Sequence, residues 1–94
     1  MKIHLKIHLP ALPEAIGSKE LQVEFAGHTV NDLIEYLVAR YDRKARQALY
    51  DRDGQLDPVV QILLNGEQWV PHDRLDTVLH DGDDVMLAIM LAGG

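Results

Sequence analysis

The sequence predicts an α+β fold in which a mixed sheet of four to five strands packs on one face against one main helix. Residues 2–9 alternate apolar and polar side chains, as a half-buried strand does. Residues 30–41 carry a helical apolar stripe, and residues 85–91 form a second apolar, strand-like run. Two groups of strands separated by one helix suit a sheet covered on one side.

The first two strands are predicted from period-two alternation. The apolar members of the first run are Ile3, Leu5, Ile7 and Leu9. Pro10 and Pro13 interrupt this run and open a loop through Ser18, because proline cannot donate to a strand ladder and disfavours helix in the residue before it. A second alternating run follows at residues 21–25, and the two runs predict an antiparallel hairpin.

The main helix is predicted to begin at Thr29, a good N-cap, with Asp32 three residues later in a weaker version of the capping box. Its apolar stripe consists of Val30, Leu33, Ile34, Leu37, Val38 and Tyr41. These positions recur at helical spacing, so the stripe is expected to cover the sheet. The charged segment 42–49 predicts a further short helix around residues 45–49.

A β-hairpin is predicted in the second half of the chain. The β-rich run 59–64 ends at Asn65–Gly66, a strong signal for a two-residue type I′ turn, and a short strand at 67–70 returns from it. Trp69 lies in the returning strand and is interpreted as a packing residue, because tryptophan buries a large area.

A polar turn, Asp81 to Asp84, leads into the last predicted strand, residues 85–91. The element order β-β-α-β-β-β, with the first and last strands at the centre of the sheet, predicts the β-grasp arrangement. Residues 1–94 are expected to form a single β-grasp domain with an extended C-terminal tail at about 91–94.

Composition excludes several classes of function. The chain has no cysteine, which excludes disulfides, thiolate metal sites and a cysteine nucleophile. Nine basic and fifteen acidic residues give a net charge of −6, which argues against nucleic acid and favours partners with basic surfaces. The first ten residues lack the apolar core of a signal peptide, and no run is long enough to cross a membrane, so a cytoplasmic protein is expected.

Metal-dependent or catalytic chemistry is not expected in the chain itself. His4 and His8 would lie about 13 Å apart on one strand, too far to share an ion, so no metal site is predicted. The Asp81 to Asp84 cluster lacks the ligand spacing of an EF-hand and is interpreted as a charged turn. The sequence contains no Gly-rich phosphate loop, serine elbow or HExxH motif.

Three segments resemble a known family. The helix opening at residues 29–33, the turn at 81–85 and the terminal Ala92, Gly93 and Gly94 are similar to the MoaD/ThiS-type ubiquitin-like sulfur carriers, and most like the small subunit of molybdopterin synthase. One departure is that several molybdopterin carriers have prolines shortly before the glycines, where this chain has residues 90–92. The resemblance therefore supports a carrier role more firmly than a particular pathway.

The resemblance implies a non-catalytic sulfur donor with no bound cofactor. An E1-like adenylating enzyme would use ATP to activate the Gly94 carboxylate, which would become a thiocarboxylate and donate its sulfur in a larger synthase subunit. Glycines at 93 and 94 lack a Cβ and can thread a narrow channel. Two alternatives stay open: a ubiquitin-like modifier attached to protein lysines, and a β-grasp module that only binds partners.

A docking surface is predicted beside the tail. If Val85, Leu87 and Ile89 face the core, the side chains that alternate with them form an apolar row on the other side of the sheet. Methionine is common at adaptable binding surfaces. The predicted partner-binding residues are Leu63, Met86, Ala88, Met90, Leu91 and Ala92.

Overall fold

The structure is a computed structural model that describes residues 1–10 and 12–89. Its strands are β1 (Lys2–His8), β2 (Glu20–Glu24), β3 (Val60–Leu64), β4 (Gln68–Trp69) and β5 (Asp84–Ile89). Its helices are α1 (Leu12–Ile16) and α2 (Val30–Leu49), and a 3-10 turn spans His72–Arg74. The predicted last strand is therefore described as far as Ile89.

The five strands form one mixed sheet in the order β2-β1-β5-β3-β4. The neighbours β1 and β5 are parallel, whereas the other three pairs are antiparallel. Parallel strands need a long crossover connection, which here contains α2. The predicted β-grasp fold, with the first and last strands side by side inside the sheet, is confirmed.

The hydrophobic core lies between one face of the sheet and α2. The inward side chains of β1 and β5 are buried, and so are all the predicted stripe residues of α2 except Tyr41, which is half-buried. Each fully buried leucine, isoleucine or valine side chain contributes about 1.5–3 kcal/mol relative to exposure. Within the described ranges, no polar or charged residue is buried, and no helix is long and apolar enough to cross a bilayer.

The short helix α1 was not predicted, since the loop was expected to continue through Pro13. Pro13 occupies the first turn of α1, where a backbone N–H has no partner within the helix and its loss costs little. Leu12 at the start of α1 is fully buried in the core. Burial of this leucine therefore outweighs the general preference of proline segments for extended chain.

The start of α2 is fixed by a complete capping box, as the sequence predicts. The Thr29 hydroxyl accepts a hydrogen bond from the Asp32 N–H at 3.1 Å, and the Asp32 carboxylate accepts from the N–H groups of Thr29 at 3.1 Å and His28 at 2.9 Å. The chain packs tightly just before it, because a Cβ on Gly27 would lie 2.6 Å from the Cβ of Asp32 and 2.7 Å from the Phe25 ring.

A kink at Asp42 divides α2. This residue has φ 47° and ψ −117°, the backbone shape of a turn position that favours glycine, and regular helix lies on both sides of it. The helix after the kink corresponds to the predicted short helix at 45–49. An exposed ion pair joins Asp42 to Arg46 at 3.5 Å, and such a pair contributes little to stability.

The two remaining predicted turns are tied to each other. Asn65 and Gly66 both have positive φ, 53° and 71°, as a type I′ turn requires, but three residues, 65–67, join β3 to β4 where a two-residue turn was predicted. The Asn65 side chain donates to the Asp83 carboxylate at 3.1 Å and accepts from the Asp84 N–H at 2.8 Å. The Asp81 carboxylate accepts from the Lys2 N–H at 2.6 Å. The acidic side chains of this turn therefore hold the start of β5 in place.

We expect Asp42→Gly to stabilise the protein by about 1 kcal/mol, because glycine adopts this backbone shape without strain that costs other residues about 1–3 kcal/mol. Urea unfolding measures the free energy of unfolding. Asp42→Ala is the matched control, because it removes the same ion pair but keeps the Cβ. Equal or lower stability of the glycine variant relative to the alanine variant would contradict the assignment of strain.

We expect acid to act on the fold through the cap of α2. Hydrogen bonds from the His28 N–H, the Thr29 hydroxyl and the Thr29 N–H hold the pKa of the Asp32 carboxyl below its ordinary value. A carboxyl with a lowered folded-state pKa stabilises the fold fully above its unfolded pKa, and this stabilisation is lost as the pH falls through the folded pKa.

Asp32→Asn should therefore flatten the loss of stability with acid below about pH 4. The measurement is the free energy of unfolding in urea between about pH 7 and about pH 3. Asp53→Asn is the control, because no hydrogen bond to its carboxylate occurs among the described residues. An acid slope that is the same in the Asp32→Asn variant and the wild type would refute this role of the cap.

Candidate functional site

The face of the sheet opposite α2, which we call the open face, carries the side chains that alternate with the core. Strand β1 contributes Lys2, His4, Lys6 and His8, and β2 contributes Glu20, Gln22 and Glu24. Strand β5 contributes Asp84, Met86 and Ala88, β3 contributes Gln61 and Leu63, and β4 contributes Trp69. Charged and polar groups therefore occupy one half of the open face, and most of its apolar groups occupy the other.

Strand register brings the predicted docking residues together. Met86 on β5 lies opposite Leu63 on β3, and Ala88 lies two residues further along β5 on the same face. Leu63 in turn lies opposite Trp69 on β4. These four residues, Leu63, Trp69, Met86 and Ala88, are called the apolar patch below. The register predicted for Leu63 is the one observed, and Leu63, Met86 and Ala88 are half-buried.

The structure contradicts the prediction that Trp69 is a packing residue. Its side chain is 57% exposed, whereas the next residue, Val70, is buried. Strand β4 has only two residues and lies at the sheet edge, so Val70 takes the inward direction and Trp69 the outward one. The predicted two-residue turn would pair Trp69 with Ile62 on the core face, but the loop has three residues, 65–67, and this one-residue shift sets Trp69 opposite Leu63 on the open face.

His4 joins three strands on the polar half of the open face. Its Nε2 lies 2.8 Å from a Glu20 carboxylate oxygen on β2, and its Nδ1 lies 2.7 Å from an Asp84 carboxylate oxygen on β5. A protonated imidazole donates from both nitrogens, so it can satisfy both carboxylates at once. The sequence did not show this bridge, because it depends on the register of three strands.

The described end of β5 lies beside a recess with both apolar and polar lining residues. Ile89, the last described residue of β5, pairs with Val60 at the start of β3. A recess of about 310 Å³ opens there, lined by Pro10, Gln47, Ala48, Asp57, Val59 and Ile89. Four residues from Leu91 onward would reach roughly 13 Å if fully extended. The predicted site residues Met90, Leu91, Ala92, Gly93 and Gly94 lie outside the described residues.

A larger recess of about 530 Å³ lies on the helix side of the molecule. Two of its polar side chains make internal contacts: Asn31 donates to Glu35 at 3.2 Å, and His72 Nε2 lies 2.6 Å from the Val60 carbonyl oxygen. In the part of the chain that the structure describes, no three His, Asp or Glu side chains are grouped to hold a metal ion. The open face, which carries the predicted docking residues Leu63, Met86 and Ala88, is the stronger candidate site.

Comparison with known proteins identifies the family. Residues 8–94 match the model of the ThiS family. The chain is 32% identical over 90 residues to the "Putative sulfur carrier protein" of Archaeoglobus fulgidus, which covers 96% of this chain and 98% of that protein. It is 39% identical over 82 residues to "Small archaeal modifier protein 3" of Haloferax volcanii, which covers 86% of this chain and 87% of that protein.

A solved structure extends this likeness to three dimensions. The "Putative molybdopterin converting factor, subunit 1" of Pyrococcus furiosus superimposes with a TM-score of 0.71 at 28% identity, over 97% of this chain and 99% of that one. The match covers nearly the whole β-grasp domain. The chain is therefore a member of the MoaD/ThiS family, whose members are small ubiquitin-like sulfur carriers and modifiers.

Proposed function

We propose that this protein is a sulfur carrier whose C-terminal Gly94 carboxylate becomes a thiocarboxylate and donates sulfur in the synthesis of molybdopterin. One observation carries the proposal: β5 presents Met86 and Ala88 on the open face and then leads directly into the segment that ends in Gly93 and Gly94. A docking surface and a reactive terminus therefore belong to one strand and its extension.

Activation is needed because a carboxylate is a poor acyl donor. Its negative charge is delocalised, and oxide is not a usable leaving group. In the proposed first step, an E1-like enzyme directs the Gly94 carboxylate onto the α-phosphorus of ATP, and pyrophosphate leaves. The resulting acyl-adenylate has AMP as its leaving group, so a sulfur nucleophile can replace it. ATP is thus a substrate of the partner enzyme, and the carrier supplies only the acyl group.

Sulfur enters in the second step. The terminal sulfur of an enzyme persulfide attacks the Gly94 carbonyl carbon, the carbon–oxygen bond to AMP breaks, and an acyl disulfide forms. A thiol then attacks the sulfur on the enzyme side, which releases the thiocarboxylate and leaves a disulfide on the enzyme. The chain contains no cysteine, so both sulfur groups belong to the partner.

The folded domain and the C-terminal tail have different roles in the proposed transfer. The apolar patch docks on the activating enzyme and later on the large synthase subunit, and Met90, Leu91 and Ala92 continue this contact toward the reaction centre. Glycines 93 and 94 present no side chain to the channel walls. Docking restricts the terminus to a small volume, which converts the reaction of two molecules into a step within one complex.

A ubiquitin-like modifier is the second candidate. It is favoured by the 39% identity to a Haloferax volcanii protein named as a modifier. The same acyl-adenylate would then react with a lysine amine of a target protein and form an isopeptide bond. Denaturing gels of host lysate, probed for this chain, separate the two candidates. Conjugates above the mass of the free chain would favour the modifier, and their absence alongside a thiocarboxylate would favour the carrier.

We expect Gly94→Ala and Gly93→Val each to abolish sulfur transfer while leaving the fold unchanged, because a side chain at either position blocks a channel shaped for glycine. Transfer is measured as thiocarboxylate formed with the activating enzyme, ATP and a sulfur donor. Thermal unfolding of each variant should match the wild type.

Ala26→Val is the control for these variants, since it adds bulk at an exposed position before α2 and outside the open face. It should transfer sulfur at the wild-type rate. Normal transfer by both glycine variants would show that the terminus does not enter a restrictive channel and would remove this part of the proposal.

A further inference from the structure

Lys6 stands at the boundary between the polar and apolar halves of the open face. It lies opposite Met86 on β5 and opposite Glu20 on β2, and it is half-buried. Together with Leu63 and Trp69, Lys6 and Met86 form one row across four strands. The ammonium group therefore adjoins the apolar patch through which the carrier is proposed to dock.

The two nearest carboxylates on the open face are already engaged. Glu20 faces Lys6 in the strand register, yet its carboxylate contacts His4 Nε2 at 2.8 Å. The Asp84 carboxylate contacts the other ring nitrogen at 2.7 Å. Among the residues that the structure describes, Lys6 has no carboxylate within ion-pair distance. Lys6 is thus a cation beside the patch that forms no ion pair with the described chain.

A recess of about 140 Å³ adjoins this cation. Its lining is part apolar and part polar, and consists of Lys6, Leu63, Asn65, Gly66, Asp84, Val85 and Met86. Because the Asp84 carboxylate already contacts His4 Nδ1 at 2.7 Å, the Lys6 ammonium group is the charged group of this lining that has no ion pair among the described residues. A volume of this size accommodates one inserted side chain. The group that fits best has an apolar stem and a negative end, because a carboxylate docked beside Lys6 would gain a charge-assisted hydrogen bond.

We propose that the activating enzyme inserts an acidic side chain, glutamate or aspartate, between Lys6 and the apolar patch, with Trp69 as the neighbouring aromatic contact. This inference rests on the proposed function, because it names the chemistry of the partner that docks on the same face. Aromatic residues at the centre of an interface commonly carry much of its binding energy. The paired charge fixes the orientation of docking.

The local charge beside the apolar patch is opposite in sign to the net charge of the chain. A net charge of −6 favours a basic partner surface overall, but the group beside the patch is a cation. A second copy of the chain is a poorer occupant, since its own Glu20 and Asp84 would be engaged by His4 in the same way. An enzyme with a carboxylate placed opposite Lys6 satisfies the local charge.

Isothermal titration of the carrier into the activating enzyme of its host, at low salt and without ATP, tests the inference. Lys6→Glu should weaken binding at least about 10-fold, since it places like charges in contact. Lys44→Glu makes the same charge change on an exposed position of α2 and should alter the dissociation constant less than about 2-fold. Glu20→Gln should strengthen binding, because it removes a negative charge near the incoming carboxylate.

A second variant and its control test the contribution of Trp69 to binding. Trp69→Ala should weaken binding by about 10-fold or more. Val78→Ala truncates another exposed apolar side chain, 56% exposed, that lies outside the sheet, and it should leave binding unchanged. Thermal unfolding of all five variants establishes that they fold. The opposite effects of Lys6→Glu and Glu20→Gln cannot come from a general loss of structure.

Equal binding by Lys6→Glu and Lys44→Glu, with the wild type bound and activated, would overturn the inference and leave the carrier function intact. A carrier dimer in solution that Trp69→Ala dissociates would also overturn it, by assigning the face to a second copy. Failure of the wild type to bind or to be adenylated would instead remove the proposed function, so the two failures are distinguishable.

Discussion

The parallel pairing of β1 with β5 is the interaction on which the rest of the structure depends. It joins the first and last strands inside the sheet, and the register sets Leu5 beside Val85 and Ile7 beside Leu87 on the buried face. The same register sets Lys6 beside Met86 on the open face. Because side chains alternate along a strand, a shift of one residue would move every one of these groups to the other face.

The proposed function depends on this pairing in two ways. Strand β5 lies between β1 and β3, so Ile89, the last described residue, lies inside the sheet rather than on an edge strand. The pairing also places Asp84 within reach of His4, and the separate pairing of β1 with β2 places Glu20 within reach of the same side chain. The charge on the open face thus depends on the topology, because three strands must be in register before His4 contacts both Glu20 and Asp84 beside Lys6.

Local sequence patterns predicted the main helix and the strands. The features that the sequence did not predict depend on contacts between residues far apart in the chain. Three features depend on only a few neighbouring residues and could be predicted from the sequence. They are the alternation in β1, the cap formed by Thr29 and Asp32, and the positive φ at Asn65. Helix α1 forms because Leu12 finds the core, and the outward direction of Trp69 follows from the pairing of a two-residue edge strand. The sequence predicted that Met86 and Leu63 share one face of the sheet. It did not predict the contacts of His4 with Glu20 and Asp84, because these depend on the register of three strands.

The central claim is that Gly94 carries sulfur, and the intact mass of the protein tests it most directly. The protein is incubated with the activating enzyme of its host, ATP and a persulfide donor, and its mass is compared with that of a sample without ATP. We predict an ATP-dependent gain equal to the replacement of one oxygen by sulfur, localised to Gly94 by fragmentation. An unchanged mass would contradict the account if the same enzyme preparation adenylates another carrier protein. The chain would then be a β-grasp module that only binds partners.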